Sequence, residues 1–336
     1  MKKSLTGLML VLFVFALVLG GCGKNIRKTA SGPSGRKRTI VFVFKLVGIP
    51  YGNVCERGAK NAAKDLGINV KFCGPAKGGD VPGQIRIIET QISRGVDAIV
   101  ISPNDPNSVK PVIAKAMRRG IKVFTWDSDA PGTERIFYVA AADDVGIGED
   151  IMDKLAKDIG GKGKVGIMSG GQGALNLNQH VEGVMNGLKK YPKIELAKPI
   201  IYNDEQPQKA QSGVAGLLQR YPDLAGIACV NSPSPPGAAR AIIAAGKAGK
   251  VKIWGLSLPS ENKQYIKDGV VSGLILWDPA KLTYLTAKLV NDYLDGKRPV
   301  DGMEVEGIGK LKVGKNGIII MPGVVITKEN VEQFDF

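Results

Sequence analysis

From Thr39 onward the chain repeats one pattern, a short apolar run followed by a longer segment with helical spacing. The apolar runs are TIVFVF (39–44), INVKFC (68–73), DAIVIS (97–102), IKVFTW (121–126) and IFYVAA (136–141). Segments 54–66, 82–94 and 107–119 lie between them and read as helices. Strands apolar on both faces, alternating with helices, predict a parallel sheet covered on both sides. The pattern then restarts. Strands are predicted at 164–170, 197–202, 224–231, 251–257 and 271–277, with helices at 145–159, 179–190, 207–221, 236–248, 260–269 and 279–295. The tail from Gly307 mixes short strands and turns. A chain of 336 residues has room for two domains of roughly 150 residues each. The expected fold class is α/β: two doubly wound parallel-sheet domains in a hinged clamshell.

The N-terminus is of another kind. Met1-Lys2-Lys3 precedes twelve uninterrupted apolar residues, Leu8 to Leu19. Such a run is too short to span a bilayer comfortably and reads as a signal peptide, 1–21. It ends in Leu19-Gly20-Gly21-Cys22, which resembles a bacterial lipobox, so Cys22 is the candidate lipid anchor. The alternative is an ordinary secretory signal with a chance cysteine. Residues 22–38 (CGKNIRKTASGPSGRKR) hold six basic residues and no acid, and read as a flexible tether suited to anionic headgroups. The expected location is an exported, membrane-anchored lipoprotein facing the periplasm or the cell exterior.

Charge and composition narrow the function. The net charge is +15, but the body from Thr39 accounts for only about +7 of it, which weakens a nucleic-acid reading. One histidine, His180, and four scattered cysteines disfavour Ser-His-Asp, Cys-His and zinc chemistry. His180 stands at a predicted helix start and reads as a cap-region or pocket-rim residue. Cys229 reads as a buried apolar residue. Cys55 and Cys73 are predicted at one end of the first sheet, where a disulfide could join them. Gly161-Lys162-Gly163-Lys164-Val165-Gly166 matches G-x-G-x-x-G but precedes a strand, so the phosphate-binding mechanism has no helix to use.

Ligands of open α/β sheets bind beyond the carboxyl ends of the strands. There the sequence carries Lys45 and Tyr51 after the first strand, Asn104 after the third, and Trp126, Asp127 and Asp129 after the fourth. In the second unit the candidates are Asn176, Asn231, Ser257 and Trp277. Carboxylates and amides suit the hydroxyls of a polyol, and aromatic rings cover its C–H face. Each residue also has an ordinary alternative. The aspartates could cap the next element, the tryptophans could be core, and Lys45 could form only an interdomain ion pair.

The stretches FKLVGIPYGN (44–53), GVDAIVISPNDP (95–106), GIKVFTWDSD (120–129), GLSLPSENKQYIKDG (255–269), LWDP (276–279) and ITKENVEQFDF (326–336) together resemble the type I periplasmic sugar-binding proteins of ABC importers. Within them the chain looks like the rhamnose- and autoinducer-2-binding branch. The resemblance implies three crossings between domains, expected near 140–144, 277–279 and 302–307. The first domain would then comprise 39–140 plus 279–305, and the second 141–278 plus 306–336. In autoinducer-2 binders the lysine, the first aspartate of WDSD and the tryptophan of LWD line the pocket, and here these are Lys45, Asp127 and Trp277. Asn176-Leu177 and Asn231-Ser232 depart from that branch and suit a neutral sugar better.

The implied function is capture of a small, rhamnose-like sugar and delivery to membrane permease subunits, by a monomer without cofactor, metal or nucleic-acid partner. An autoinducer-2 or sugar receptor serving a signalling partner is the alternative. A repressor of the same core would need an N-terminal helix-turn-helix, where this chain has a signal and tether. A glycosidase would need paired carboxylates at catalytic spacing. If Cys22 carries lipid, Cys22→Ala shifts the protein from membrane to soluble fractions or blocks processing. Unchanged fractionation and migration would overturn the anchor.

Overall fold

The computed structural model describes residues 36–315, 318–320 and 323–336. The signal peptide, Cys22 and most of the tether lie outside the described residues. The first unit runs β1 (Thr39–Val43), α1 (Pro50–Leu66), β2 (Asn69–Cys73), α2 (Val81–Ser93), β3 (Ala98–Ile101), α3 (Lys110–Arg118), β4 (Lys122–Trp126) and β5 (Tyr138–Ala140). The second runs α4 (Asp144–Asp158), β6 (Gly163–Ser169), α5 (Leu175–Leu188), β7 (Ile194–Tyr202), α6 (Pro207–Arg220), β8 (Leu224–Cys229), α7 (Ser234–Ala244), β9 (Lys252–Gly255), α8 (Pro259–Lys267) and β10 (Gly273–Leu276). Then come α9 (Pro279–Leu294), β11 (Glu304–Val305), β12 (Gly309–Lys310), β13 (Lys312–Val313), β14 (Ile318–Ile320) and β15 (Val324–Ile326).

The strands form two main sheets, ordered β13-β14-β5-β4-β3-β1-β2 and β15-β10-β9-β8-β6-β7, and β11 and β12 form a separate two-stranded sheet. The β1–β5 and β6–β10 cores are wholly parallel, while β13 and β15 add antiparallel edges. Both cores have the doubly wound 2-1-3-4-5 order, so each has a switch point, at β1/β3 and at β6/β8. The central strands are buried on both faces, as their continuous apolar runs require.

The chain passes between the two sheets from β5 to α4 and again from β10 to α9. Each passage delivers the chain to an aspartate that caps the next helix. Asp143 accepts from the Gly146 N–H, and Asp278 from the Ala280 and Lys281 N–H groups. These caps satisfy helix-end donors and set each helix's start just past its crossing. Helix α9 returns to the first lobe: a Cβ at Gly58 of α1 would lie 2.1 Å from the Ala280 carbonyl, and Tyr293 packs edge-on against Phe124 at 5.4 Å.

The third crossing differs from expectation. Strand β14 pairs with β5 in the first sheet, β13 pairs with β14, and only β15 joins the second sheet. The chain therefore crosses between Ile320 and Val324, not near 302–307, and the tail is shared between lobes instead of belonging wholly to the second. Strand β14 pairs with the edge of β5 that would otherwise be open.

The cysteine bridge also fails, because the alternation of a strand sends neighbouring side chains to opposite faces. Cys55, on α1, belongs to the core cluster that includes Phe42 and Trp126. Cys73 packs on the other face, with Val41, Val43 and Ile99 under α2 and α3. Both thiols are free, and burial pushes the Cys73 thiol up to about 11.

Helices α4 and α5 cross at two glycines. A Cβ on Gly148 would lie 2.1 Å from the His180 carbonyl, and one on Gly183 would lie 2.0 Å from the Val145 carbonyl. Backbone meets backbone here, which leaves no room for a methyl group. Gly183→Ala should lower stability by about 1–3 kcal/mol through overpacking. A thermal melt unchanged from wild type would contradict that packing.

Candidate functional site

Both switch points open into one cleft between the lobes, with about 480 Å³ of space including the part open to solvent. From the first lobe come Phe44, Lys45, Leu46, Ile49, Tyr51 and Asp127. From the second come Asn176, Leu177, His180, Glu205, Val230, Asn231, Ser232 and Leu256, with Leu276 and Trp277 at the crossing.

Asp127 organises the first wall. Its φ of 60° is left-handed, a conformation that costs a non-glycine residue about 1–3 kcal/mol. That turn aims the carboxylate at the loop after β1. Oδ2 accepts from Lys45 Nζ at 2.7 Å and Ser102 Oγ at 2.8 Å, and Oδ1 accepts from Tyr51 OH at 3.0 Å. Tyr51 OH in turn accepts from Trp277 Nε1 at 2.9 Å. Burial pushes the Tyr51 phenol well above its ordinary range, and the Asp127 charge adds to the rise, so Tyr51 stays a donor. Lys45 reaches across the cleft as well, donating to Asn176 Oδ1 of α5 at 3.0 Å.

The second wall rests on an amide network. Asn231 Nδ2 donates to Asn203 Oδ1 and to Glu205 Oε2, both at 2.9 Å. Glu205 and its neighbour Asp204 have φ of 62° and 51°. This paired left-handed turn after β7 carries the Glu205 carboxylate into the cleft. Burial raises the Glu205 carboxyl, while its bond from Asn231 opposes the rise. His180 faces an acceptor at each ring nitrogen, Val230 O at 3.2 Å and Asp144 Oδ1 at 3.0 Å.

The lobes also touch at the rim of the cleft through glycine. A Cβ at Gly78 would lie 2.6 Å from the Asp204 carbonyl, and one at Gly173 would lie 2.7 Å from the Asn104 carbonyl.

Of the residues read from the sequence, Lys45, Tyr51, Asp127, Asn176, Asn231 and Trp277 meet in this cleft. Four do not line it. Trp126 is fully buried against Phe42, with ring centroids 5.2 Å apart, because strand alternation turns it onto the core face. Asp129 is held by Arg135, with Nη2 to Oδ2 at 2.6 Å, and by Thr125. Asn104 Nδ2 donates to the Lys45 carbonyl at 2.8 Å and braces that loop from behind. Ser257 Oγ donates to the Ser232 carbonyl at 2.6 Å. His180 is a buried wall residue inside α5, not a cap. Glu205 was missed, although applying the strand-end rule to β7 finds it.

The comparisons agree with this geometry. A family model described as a periplasmic binding protein domain matches residues 40–298, and the chain belongs to that family, with its type I fold. The D-allose-binding periplasmic protein of Escherichia coli (strain K12) is 27% identical over 265 residues, covering 74% of this chain and 82% of that protein. An ABC transporter solute-binding protein from Clostridium phytofermentas, solved with bound L-rhamnose, superposes with a TM-score of 0.82 at 26% identity, covering 89% of this chain and 98% of its own. LsrB from Clostridium saccharobutylicum in complex with AI-2 has a TM-score of 0.81 at 24% identity, with 89% and 100% coverage, a likeness of fold alone. The family resemblance read from the sequence is borne out, and these relatives are binding proteins, not enzymes.

Beside the cleft, burial pushes the Glu261 carboxyl up to about 7, with Arg240 and its bond to Ser232 opposing. A carboxyl whose folded pKa lies above its unfolded value of ~4.3 binds more protons folded than unfolded between those two values. Its contribution to stability therefore falls as pH rises through about 7. Glu261→Gln should be more stable than wild type at pH ~8, and the gain should vanish below pH ~4. A gain that does not change with pH would contradict the raised carboxyl.

Proposed function

We propose that this protein is the extracytoplasmic substrate-binding subunit of an ABC sugar importer. It captures a small neutral sugar of the rhamnose type between its lobes and delivers it to membrane permease subunits. The observation that carries the reading is the cleft itself. Acceptors and donors from both lobes converge there, Asp127 and Lys45 opposite Asn176 and Asn231, with Trp277 at the crossing. The remaining wall is largely aliphatic, from Leu46, Ile49, Leu177, Leu256 and Leu276. A 6-deoxy sugar matches that division, offering hydroxyls to one side and a methyl group to the other. The rhamnose-bound relative supports this choice. Membership of a periplasmic binding protein family supports export, and anchoring through Cys22 would keep the binder beside its permease.

A ligand that bonds to both walls favours the closed arrangement by its differential affinity for that state. The autoinducer-2 receptor reading draws on Lys45, Asp127 and Trp277, while Asn176-Leu177 and Asn231-Ser232 favour the neutral sugar. Asp127→Ala and Trp277→Ala should each weaken binding about ten- to hundredfold, the loss of a hydrogen bond to a charged group or of a packed ring. Calorimetric titration with L-rhamnose, D-allose, D-ribose and autoinducer-2 tests this and ranks the ligands. Near wild-type affinity in both variants would overturn the site.

A further inference from the structure

Glu205 is a carboxylate that the neutral-sugar reading does not require. A polyol could be held by Asp127, Lys45, Asn176 and Asn231 alone. Yet the chain adopts two successive left-handed residues, Asp204 and Glu205, and the result is a carboxylate in the cleft wall. The bed beneath it is built to fit. The Gly171 N–H donates to the carboxylate, Asn231 Nδ2 donates to Oε2 at 2.9 Å, and a Cβ at Gly170 would lie 1.9 Å from Oε1. A side chain at Gly170 would displace the carboxylate from its place.

The charge around the cleft can be followed group by group. Lys45 is the one cationic side chain in the lining, and Asp127 already bonds it at 2.7 Å. The Tyr51 phenol is neutral. Among the described residues Glu205 forms no salt bridge, and the Lys45 charge, already bonded to Asp127, acts on it only through space. Its neighbours Asn231 and Gly171 supply dipoles, not charge. Asp204, next in sequence, bonds Lys209 outside the lining.

We infer that Glu205 is a specificity-determining residue: it gives the cleft a surplus negative charge that admits neutral sugars and rejects sugar acids and sugar phosphates of the same shape. The inference rests on the neutral-sugar reading and deepens it. A hydroxyl of a neutral sugar donates to Glu205 and gains a charge-assisted hydrogen bond. A carboxylate or phosphate at the same point meets like charge in a partly enclosed site, and like charge across a binding site selects against the wrong partner.

The test uses shape-matched pyranose pairs and the full chain: L-rhamnose against L-mannuronate, which carries a carboxylate in place of the methyl group, and D-galactose against D-galacturonate, titrated by calorimetry. The wild type should bind the better neutral sugar at least a hundredfold more tightly than its acid. Glu205→Gln keeps the shape and removes the charge, and should narrow that ratio at least tenfold, chiefly by strengthening the acid. Glu205→Asp keeps the charge and should preserve the preference for the neutral member. If Glu205→Gln does not fold by thermal melt, Glu205→Ala takes its place in the same comparison. A ratio unchanged in the neutralised variant overturns the role of Glu205 while leaving the sugar-binding reading intact. Wild-type protein that prefers the acid overturns both.

Discussion

The ammonium of Lys45 is nearly withdrawn from water, and the structure around the cleft is arranged to keep it paired. Asp127 takes it at 2.7 Å from the first lobe and Asn176 takes it at 3.0 Å from the second. Behind Asp127 stand Ser102 and Tyr51, and behind Tyr51 stands Trp277 at the second crossing. One continuous set of hydrogen bonds thus links both lobes with the segment that joins them. Removing either partner of such a pair leaves a charge buried alone, typically a loss of about 3–5 kcal/mol. The left-handed backbone of Asp127 is tolerable because three donors fix its carboxylate in that one position.

The crossings make a second use of aspartate. Asp143 and Asp278 end the first two linking segments and start the helices that follow. Asp144, one residue on, faces His180 of α5, whose other ring nitrogen faces the Val230 carbonyl beyond β8. The tight glycine crossing of α4 and α5 brings that histidine to the crossing. Position in the hinge and position in the cleft wall are therefore set by the same helix pair.

The fold was legible in the sequence because its signal is repeated: ten strand-like runs at parallel-sheet spacing leave little choice of architecture. Site residues carried on strand ends by ordinary turns, Lys45 after β1 and Asn231 after β8, were legible for the same reason. The misreadings share a local cause. Trp126, Asp127 and Asp129 stand within four residues, and no periodicity tells which of them enters the cleft. The left-handed turn at Asp127 separates them, sending Asp127 inward while Asp129 goes to Arg135. Glu205 depends on another such turn. The tail was misassigned because a three-residue strand such as Ile318–Ile320 suits either sheet by composition, and only pairing with β5 decides it. The cysteines looked adjacent along the chain, yet a sheet lies between them.

At the rim the lobes meet through Gly78 against the Asp204 carbonyl and Gly173 against the Asn104 carbonyl. The contact on the glycine side is main chain, with no side chain whose size or charge could vary. The jaws thus have a bite of fixed geometry, while the recognition surface behind them is made of exchangeable side chains. A scaffold divided in this way can change its ligand through a few interior replacements while its rim keeps the same outline.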